Sequence, residues 1–379
     1  MDRLTQLLGF HATDPSNLLL TLDVLDAHLL QGAYVEALAF SGALDPTLAH
    51  ASAVRLRMGR CAMSCGQAET AVGYFSAIVA EGEASPLVHH DLAYALFSLG
   101  RLDEAESALA PAVTLSADVP EIGLLHGRMR YQRGDFAAAE LIVGVVTEAH
   151  PGRADAWGLA ALIALDQGKP DDALGAAERA LSLDPADKAG QMAKGGLALA
   201  ALNGDVALSC FAPVVEAEAQ NGRAAGGLGE AYLIKGDLVA ARGALERSTQ
   251  LQPGHLGTWH ALAWCQLLQS DVDGADVSFR SALDADRNFA ESHGGLAIVY
   301  ALQGKRELAD QALRRAQRLD ADGGNARFAR SLLLASDGNE IEANQLLQTI
   351  LHERVPGVAL PAATTITQLR ALMMASRTT

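Results

Sequence analysis

Two cysteines stand at a spacing that metal sites use. Cys61 and Cys65 are four residues apart in a segment with helical periodicity, so their sulfur atoms would share one helix face. A tetrahedral zinc site needs two more cysteine or histidine ligands, and no nearby pair supplies them. With Cys210 and Cys265 the chain has four cysteines, too few and too dispersed for a disulfide framework. We therefore predict packing or solvent-edge thiols and no bound metal.

Histidines and glycine-rich stretches also lack the context of a catalytic or cofactor site. His89 and His90 are adjacent, so a helix would direct them to different faces. The stretches KGGLALA and SHGGLAIVYA lack the preceding strand and the GxGxxG spacing of a phosphate-binding loop. HExxH, GxSxG and Walker motifs do not occur. The sequence predicts no catalytic residue, no cofactor and no enzyme activity.

Composition limits the classes of partner. The 379 residues carry a formal net charge of −16, which disfavours binding to nucleic-acid phosphates and to anionic lipid. No apolar run approaches the roughly 18 residues of a membrane-spanning helix. The N-terminus shows neither the apolar core nor the cleavage site of a secretory signal. We expect a cytoplasmic protein without nucleic-acid or membrane partners, and the excess of Ala, Gly and Arg suggests a bacterial gene.

The elements that position the side chains are set by a period of 34 residues. Steps of 34 from Ala37 reach an alanine every time, without insertion or deletion. This alanine column is Ala37, Ala71, Ala105, Ala139, Ala173, Ala207, Ala241, Ala275, Ala309 and Ala343. A glycine column precedes it by five residues and is broken only at Leu202 and Ser270. A column of large apolar residues follows, at Phe75, Leu109, Val143, Phe211, Leu245, Phe279, Leu313 and Leu347. Such self-similarity is typical of a repeat architecture.

The period and these columns resemble the tetratricopeptide repeat, whose pattern is W-x2-L-G-x2-Y, then A-x3-F, then P. In the copy at 154–187 the matching residues are Trp157, Ala161, Gly168, Ala173, Ala180 and Pro185. In the copy at 222–255 they are Leu228, Gly229, Tyr232, Gly236, Ala241 and Pro253. The resemblance covers residues 18–357 as ten tandem copies, each numbered below from position 1 to position 34.

The resemblance implies an all-α fold, a right-handed superhelical solenoid of about ten helical hairpins. We expect the first helix of each copy at positions 1–14 and the second at positions 15–28, with the glycine between them and the alanine at their contact. Residues 1–17 are predicted to form an N-terminal cap helix and residues 358–379 a C-terminal capping helix. The alternative for the latter is a docking element that makes a homodimer.

Irregular copies predict local departures. Pro111 and Pro213 both fall at position 26, inside the predicted second helix, where each is expected to kink or shorten it. In the copy at 188–221, Leu202 replaces the glycine. We expect the first helix to run about two residues longer there, with Gly204 taking the turn, and a change of curvature near residues 200–215.

In the resembled family, positions 2, 5, 9, 12 and 13 of the first helix face a concave groove. The partner-binding residues predicted on this basis are Arg60, Met63, His90, Tyr94, Phe97, Arg128, Tyr131, His260, Trp264 and Leu268. Glu230 occupies another of these positions. The leucines and methionines could equally pack between hairpins, whereas Tyr94, Tyr131 and Trp264 have polar edges that favour exposure. The two arginines could hold carboxylates of a partner.

These observations predict a non-enzymatic scaffold or adaptor that binds an extended peptide or an amphipathic helix of a partner. One alternative is a dedicated chaperone for a secretion or assembly substrate, and another is a regulatory subunit of an enzyme complex. A known subclass of the family holds chaperone C-termini with a clamp that begins with lysine at position 5. No copy has lysine there, so the resemblance does not imply that activity.

Overall fold

The computed structural model describes residues 3–116 and 118–352, and within these ranges every regular element is an α-helix. This confirms the all-α repeat fold. The helices are α1 Arg3–Thr13, α2 Leu18–Leu30, α3 Tyr34–Gly42, α4 Pro46–Ala49, α5 Ser52–Ser64, α6 Ala68–Ala80, α7 Pro86–Ser98, α8 Leu102–Leu115, α9 Pro120–Gln132, α10 Phe136–Ala149, α11 Ala154–Asp166, α12 Pro170–Leu183, α13 Lys188–Ala200, α14 Gly204–Ala217, α15 Gly222–Lys235, α16 Leu238–Leu251, α17 Leu256–Leu268, α18 Val272–Ala285, α19 Ala290–Leu302, α20 Arg306–Leu319, α21 Gly324–Ser336 and α22 Glu340–His352.

The described residues divide into two compact units, an N-terminal unit that ends at Gln167 and a C-terminal unit that begins at Gly168. In the N-terminal unit, α5 to α10 each pack on the next helix in sequence, and α7 also contacts α5 and α9. In the C-terminal unit, α12 to α22 follow the same rule, and α15 also contacts α13 and α17. Such neighbour-only packing is how a stack of hairpins buries its apolar faces. The predicted capping helix at 358–379 lies outside the described residues.

The residues of the alanine column are completely buried in every copy of the repeat. All ten alanines have an exposed fraction of 0%. Each lies in the first half of its second helix, as Ala105 does in α8 and Ala241 in α16. A larger side chain at such a site would force neighbouring helices apart, because the interior has no free volume. The period of 34 is therefore kept by packing, as predicted.

The glycine column marks the turn between the two helices, where the backbone takes a positive φ. The eight glycines of the column have φ between 69° and 83°, and Leu202 and Ser270 take the same conformation with φ of 55° and 67°. The predicted extension of α13 is therefore wrong. The helix ends at Ala200, and the backbone N–H groups of Leu202 and Asn203 cap the carbonyls of Leu199 and Ala198. These capping bonds fix the turn whatever residue occupies it.

Second helices begin two residues later than predicted. α8 runs over positions 17–30 of its copy instead of 15–28, and α10 and α16 have the same register. The delay arises because the residue after the glycine becomes the N-cap; Asp135 and Asp237, for example, accept a hydrogen bond from a backbone N–H of the first turn. Pro111 and Pro213 do not shorten their helices, since α8 and α14 are each 14 residues long, as α10 is.

The column of large residues fills space that glycines leave open. A Cβ atom added at Gly59 would lie 2.4 Å from Phe75, and one at Gly195 would lie 2.7 Å from Phe211. The ring of Phe211 also presses on Gly227 of the following hairpin, where a Cβ would lie 2.4 Å away. These aromatic side chains thus join a hairpin internally and to its successor. Among the described residues, no helix has both the length and the apolarity to span a membrane.

Candidate functional site

We call the surface made by positions 2, 5, 9, 12 and 13 of the first helices the first-helix face. In the N-terminal unit its position 9 is occupied by Arg60 on α5, Tyr94 on α7 and Arg128 on α9, three helices in successive contact. Arg60 is exposed, Tyr94 is 44% exposed and Arg128 is half-buried. The repeat therefore places two guanidinium groups and one phenol in a row.

Asp91 holds the first part of this row in place. Its Oδ2 accepts a hydrogen bond from Nε of Arg60 at 2.8 Å, and its Oδ1 lies 3.2 Å from Nδ1 of His90. Burial alone would raise the pKa of Asp91, but the hydrogen bonds from His90 and Arg60 outweigh it and keep the pKa below its usual value. The His90 ring lies parallel to Tyr94 with centroids 6.4 Å apart. Arg60 and His90 are thus joined by Asp91, a residue that the sequence analysis did not include in the site.

Arg128 has no hydrogen bond or ion pair within the described part of the chain. Nearby carboxylates are already engaged, because Arg153 binds Asp155 at 2.8 Å and Glu121 at 2.5 Å. The pKa of Asp155 is lowered mainly by its hydrogen bonds from Arg153, and the charge of Arg128 adds a smaller effect. The Arg128 guanidinium therefore keeps its donors available to a ligand.

The remaining predicted residues of the N-terminal unit have partners within it. The hydroxyl of Tyr131 donates to Oδ2 of Asp166 at 2.5 Å, and its ring lies 5.7 Å from that of Phe136. Met63 and Phe97 are half-buried and pack against the hydrophobic core. These three side chains lie at position 12 of α5, α7 and α9, about one helical turn from the row at position 9.

In the C-terminal unit, the expected exposure of Trp264 is wrong, and His260 is buried as well. Nε2 of His260 lies 2.8 Å from Oγ of Ser292, and burial lowers the pKa of His260 to about 4. Trp264 is only 7% exposed, and its ring lies 5.7 Å from that of Phe328. The large apolar residues on the following first helices pack over the indole and cover it. Leu268 is half-buried at the end of α17.

In the C-terminal unit, an acidic residue, Glu230, takes the position that Arg60, Tyr94 and Arg128 have in the N-terminal unit. It is half-buried at position 9 of α15, and it has no hydrogen bond or ion pair among the described residues. Burial raises its pKa to about 7, and burial is the sole cause of the shift. This carboxylate therefore lacks the ion pair or hydrogen bonds that charges removed from water normally receive.

The four cysteines are free thiols, and Cys61, Cys210 and Cys265 are buried. Cys61 and Cys265 are buried, and burial is the main reason that the pKa of each thiol rises to about 11. Protonated thiols are poor nucleophiles and poor metal ligands. Within residues 3–116 and 118–352, no cluster of three or more His, Cys, Asp or Glu residues is arranged to hold a metal ion.

Solved structures share the fold at low sequence identity. One chain of the APC/C hetero-tetramer Cut9–Hcn1 aligns with 84% of this chain at 16% identity and a TM-score of 0.61, and this chain spans 59% of its length. The human IFIT1 dimer with m7Gppp-AAAA aligns with 88% of this chain and 90% of its own at 13% identity and a TM-score of 0.52. No curated protein matches the sequence significantly.

The sequence itself matches a model of the tetratricopeptide repeat. The match covers residues 124–188 and residues 192–255. It agrees with the 34-residue period, with the ten buried alanines and with the turn conformation at every glycine-column position. The chain therefore contains tetratricopeptide repeats.

Proposed function

We propose that this protein is a non-enzymatic scaffold that binds a segment of a partner protein on the first-helix face of its N-terminal unit. Tetratricopeptide repeats are a scaffold for protein–protein interaction, and stacked repeats present extended binding surfaces. The observation that supports this site is the row of Arg60, Tyr94 and Arg128 at position 9. Arg128 has unused donors, and Tyr94 is the most exposed aromatic of the predicted site residues.

The chemistry of the row favours an acidic segment with an apolar side chain. A guanidinium group on either side of a phenol ring binds carboxylates through charge-assisted hydrogen bonds, while the ring supplies apolar contact area. Arginine and tyrosine are also the residues that most often dominate binding energy at interfaces. An extended peptide and an amphipathic helix both meet these requirements. The net charge of −16 disfavours a nucleic-acid ligand.

The test is a selection of random-sequence peptides with the full-length chain, followed by affinity measurements. We expect the selected peptides to contain Asp or Glu near an apolar residue. Tyr94→Ala and Arg128→Ala should each weaken binding of such a peptide by about tenfold or more, because each removes a charged or aromatic contact. Arg314→Ala is the matched control, since Arg314 is an exposed arginine on the second helix α20. Unchanged affinity in the first two variants would contradict the proposed site.

A further inference from the structure

The last first helix of the described chain, α21, packs directly on another first helix. In the preceding copy α19 packs on the second helix α18, but α21 packs mainly on α19 and to a lesser extent on the second helix α20. A Cβ atom added at Gly294 of α19 would lie 2.7 Å from the backbone nitrogen of Ala326 and 2.8 Å from Cβ of Asn325. Gly227 of α15, by contrast, meets the side chain of Phe211 on the second helix α14. The backbones of α19 and α21 therefore approach each other without a second helix between them.

Hydrogen bonds fix the start of α21 to the start of α19. Asn325 is the second residue of α21, and Glu291 is the second residue of α19. The backbone N–H of Asn325 donates to Oε2 of Glu291 at 2.9 Å, and Nδ2 of Asn325 donates to the backbone carbonyl of Glu291 at 3.0 Å. Asn325 is buried, so its amide group is satisfied by the partner helix and not by water. The contact between the two helices is thus specific as well as close.

Apolar side chains of α21 cover position 9 of two earlier first helices. Phe328 and Leu332 are four residues apart and share one face of α21. The ring of Phe328 lies 5.7 Å from that of Trp264 on α17, two copies earlier, and Leu332 belongs to the same buried cluster as Ile298 of α19. Trp264 and Ile298 both occupy position 9 and are buried, whereas Tyr94 at this position of α7 is exposed. In the C-terminal unit, α21 therefore occupies the first-helix face of α17 and α19.

The contact residues of α21 have the spacing of a helix that binds in a groove. Amphipathic helices bind grooves through anchors at i, i+3, i+4 and i+7. Four buried residues of α21 stand at these positions, namely Asn325, Phe328, Ala329 and Leu332. The N-cap of α21 is Gly323, which offers no side-chain hydrogen bond to the first turn, and the buried Nε1 of Trp264 is left without an acceptor. α21 therefore has the anchor pattern of a bound ligand, in a contact that is not fully satisfied.

We propose that α17 and α19 form a docking site for an amphipathic helix and that α21 occupies this site in the free chain as an internal ligand. A partner helix with an aromatic residue and a leucine one turn later binds there by displacing α21. This goes beyond the proposed function, whose site lies in the N-terminal unit, and does not depend on it. Because α21 is tethered beside the site, its effective concentration is high, and weakly binding segments are excluded. The contact is therefore autoinhibitory.

A fluorescent peptide with the sequence of residues 322–337 tests this inference on full-length chains. The wild type is compared with Phe328→Ala, which loses the contact of α21 with Trp264, and with Phe211→Ala as the matched control. Phe211 is a buried phenylalanine of the same unit that packs among α13, α14 and α15. Phe328→Ala should bind the peptide about tenfold more tightly than the wild type or better, because its own α21 competes less. The control should bind it as weakly as the wild type. Equal binding by all three chains, or binding by none, would overturn the inference.

A milder variant and a second measurement keep the result decisive if circular dichroism shows that Phe328→Ala is unfolded. Asn325→Ala removes only the side-chain hydrogen bond to Glu291 and should tighten peptide binding by a smaller factor. With the peptide bound, amide hydrogen exchange should become faster in α21 and stay slow in α19, whereas fast exchange in both helices would show unfolding instead of displacement and contradict the inference. Tyr94→Ala should bind this peptide as the wild type does, so a negative result leaves the proposed site in the N-terminal unit untouched.

Discussion

At the scale of single residues, the turn between the two helices of a copy is kept even where the sequence has no glycine. Leu202 and Ser270 adopt a backbone conformation that eight other copies reserve for glycine. For an L-residue with a Cβ this conformation is unfavourable by about 1–2 kcal/mol. The tertiary contacts of the hairpins overcome that strain, and so both copies keep the common geometry.

Leu202→Gly should therefore stabilise the protein. The side chain of Leu202 is 49% exposed, so its removal loses little buried apolar area. Relief of the backbone strain should outweigh the conformational entropy that glycine adds to the unfolded chain. We therefore expect the free energy of unfolding to rise by about 0.5–1 kcal/mol. Urea denaturation of the full-length chain measures this. Gly100→Ala, at the same position with φ of 73°, should have the opposite sign; a loss of stability in Leu202→Gly would show that the turn is not strained.

The raised pKa of Glu230 predicts a pH-dependent stability. Its ordinary pKa is 4.5 and its folded-state pKa is about 7. Between these values the folded chain binds more protons than the unfolded chain, so stability falls as pH rises. Glu230→Gln cannot ionise and should escape this loss. Relative to the variant, the wild type should lose about 2 kcal/mol between about pH 5 and pH 8. Parallel pH curves for the two proteins would contradict the burial of this carboxylate.

At the scale of the helical elements, one contact recurs, in which a phenylalanine ring packs against a glycine of a neighbouring helix. Phe211 of α14 is closed in by Gly195 of its own hairpin and by Gly227 of the next. Phe279 of α18 meets Gly295 of α19 in the same way. The register between helices depends on these glycines, because any larger residue would push the ring out of its place.

Gly227→Ala should destabilise the protein by about 1–3 kcal/mol, although alanine is the better helix former. The added methyl group would lie 2.4 Å from Cζ of Phe211, closer than atoms can pack. Gly243→Ala in α16 is the control, since nothing lies within 4 Å of its added Cβ. Gly243→Ala should raise the free energy of unfolding by about 0.5–1 kcal/mol, because alanine is a better helix former than glycine. Thermal denaturation of both variants measures the difference, and equal shifts would mean that the contact with Phe211 adjusts freely.

The elements could be predicted from the sequence because the columns record contacts that every copy repeats. Ala105 and its equivalents are buried for one reason, so ten copies report it independently. The start of the second helices was misplaced because capping by residues such as Asp135 is a local hydrogen bond that the apolar pattern does not contain. The turn at Leu202 was missed because tertiary contacts overrode the conformational preference of leucine.

The predicted site residues differ in exposure between the two units, for a physical reason. Tyr94 is 44% exposed, and the adjacent first helices carry Arg60 and Arg128 at the same position. Trp264 occupies the same position, but large apolar residues such as Phe328 pack against it. A positional rule cannot tell these cases apart, since burial depends on the residues of the neighbouring copies. Asp91 was missed because its partner Arg60 belongs to the preceding copy.

At the scale of the whole molecule, each unit presents its own first-helix face with its own charge. Among the described residues at position 9 of the first helices, the cation without an ion pair is Arg128 in the N-terminal unit and the anion without one is Glu230 in the C-terminal unit. The two faces would therefore favour ligand segments of opposite charge. Selected peptides that contain only one sign of charge would assign binding to one unit alone.

Photo-crosslinking from one helix face or the other tests the central claim most directly. A photoreactive amino acid is placed at position 94 on α7, or at position 141 on α10, in otherwise identical full-length chains. Tyr94 is 44% exposed on the first-helix face, and Leu141 is 75% exposed on a second helix, so accessibility favours the control. The account predicts crosslinks to a selected peptide from position 94 and none from position 141. Crosslinks from position 141 alone would show that the partner binds the second helices and would contradict it.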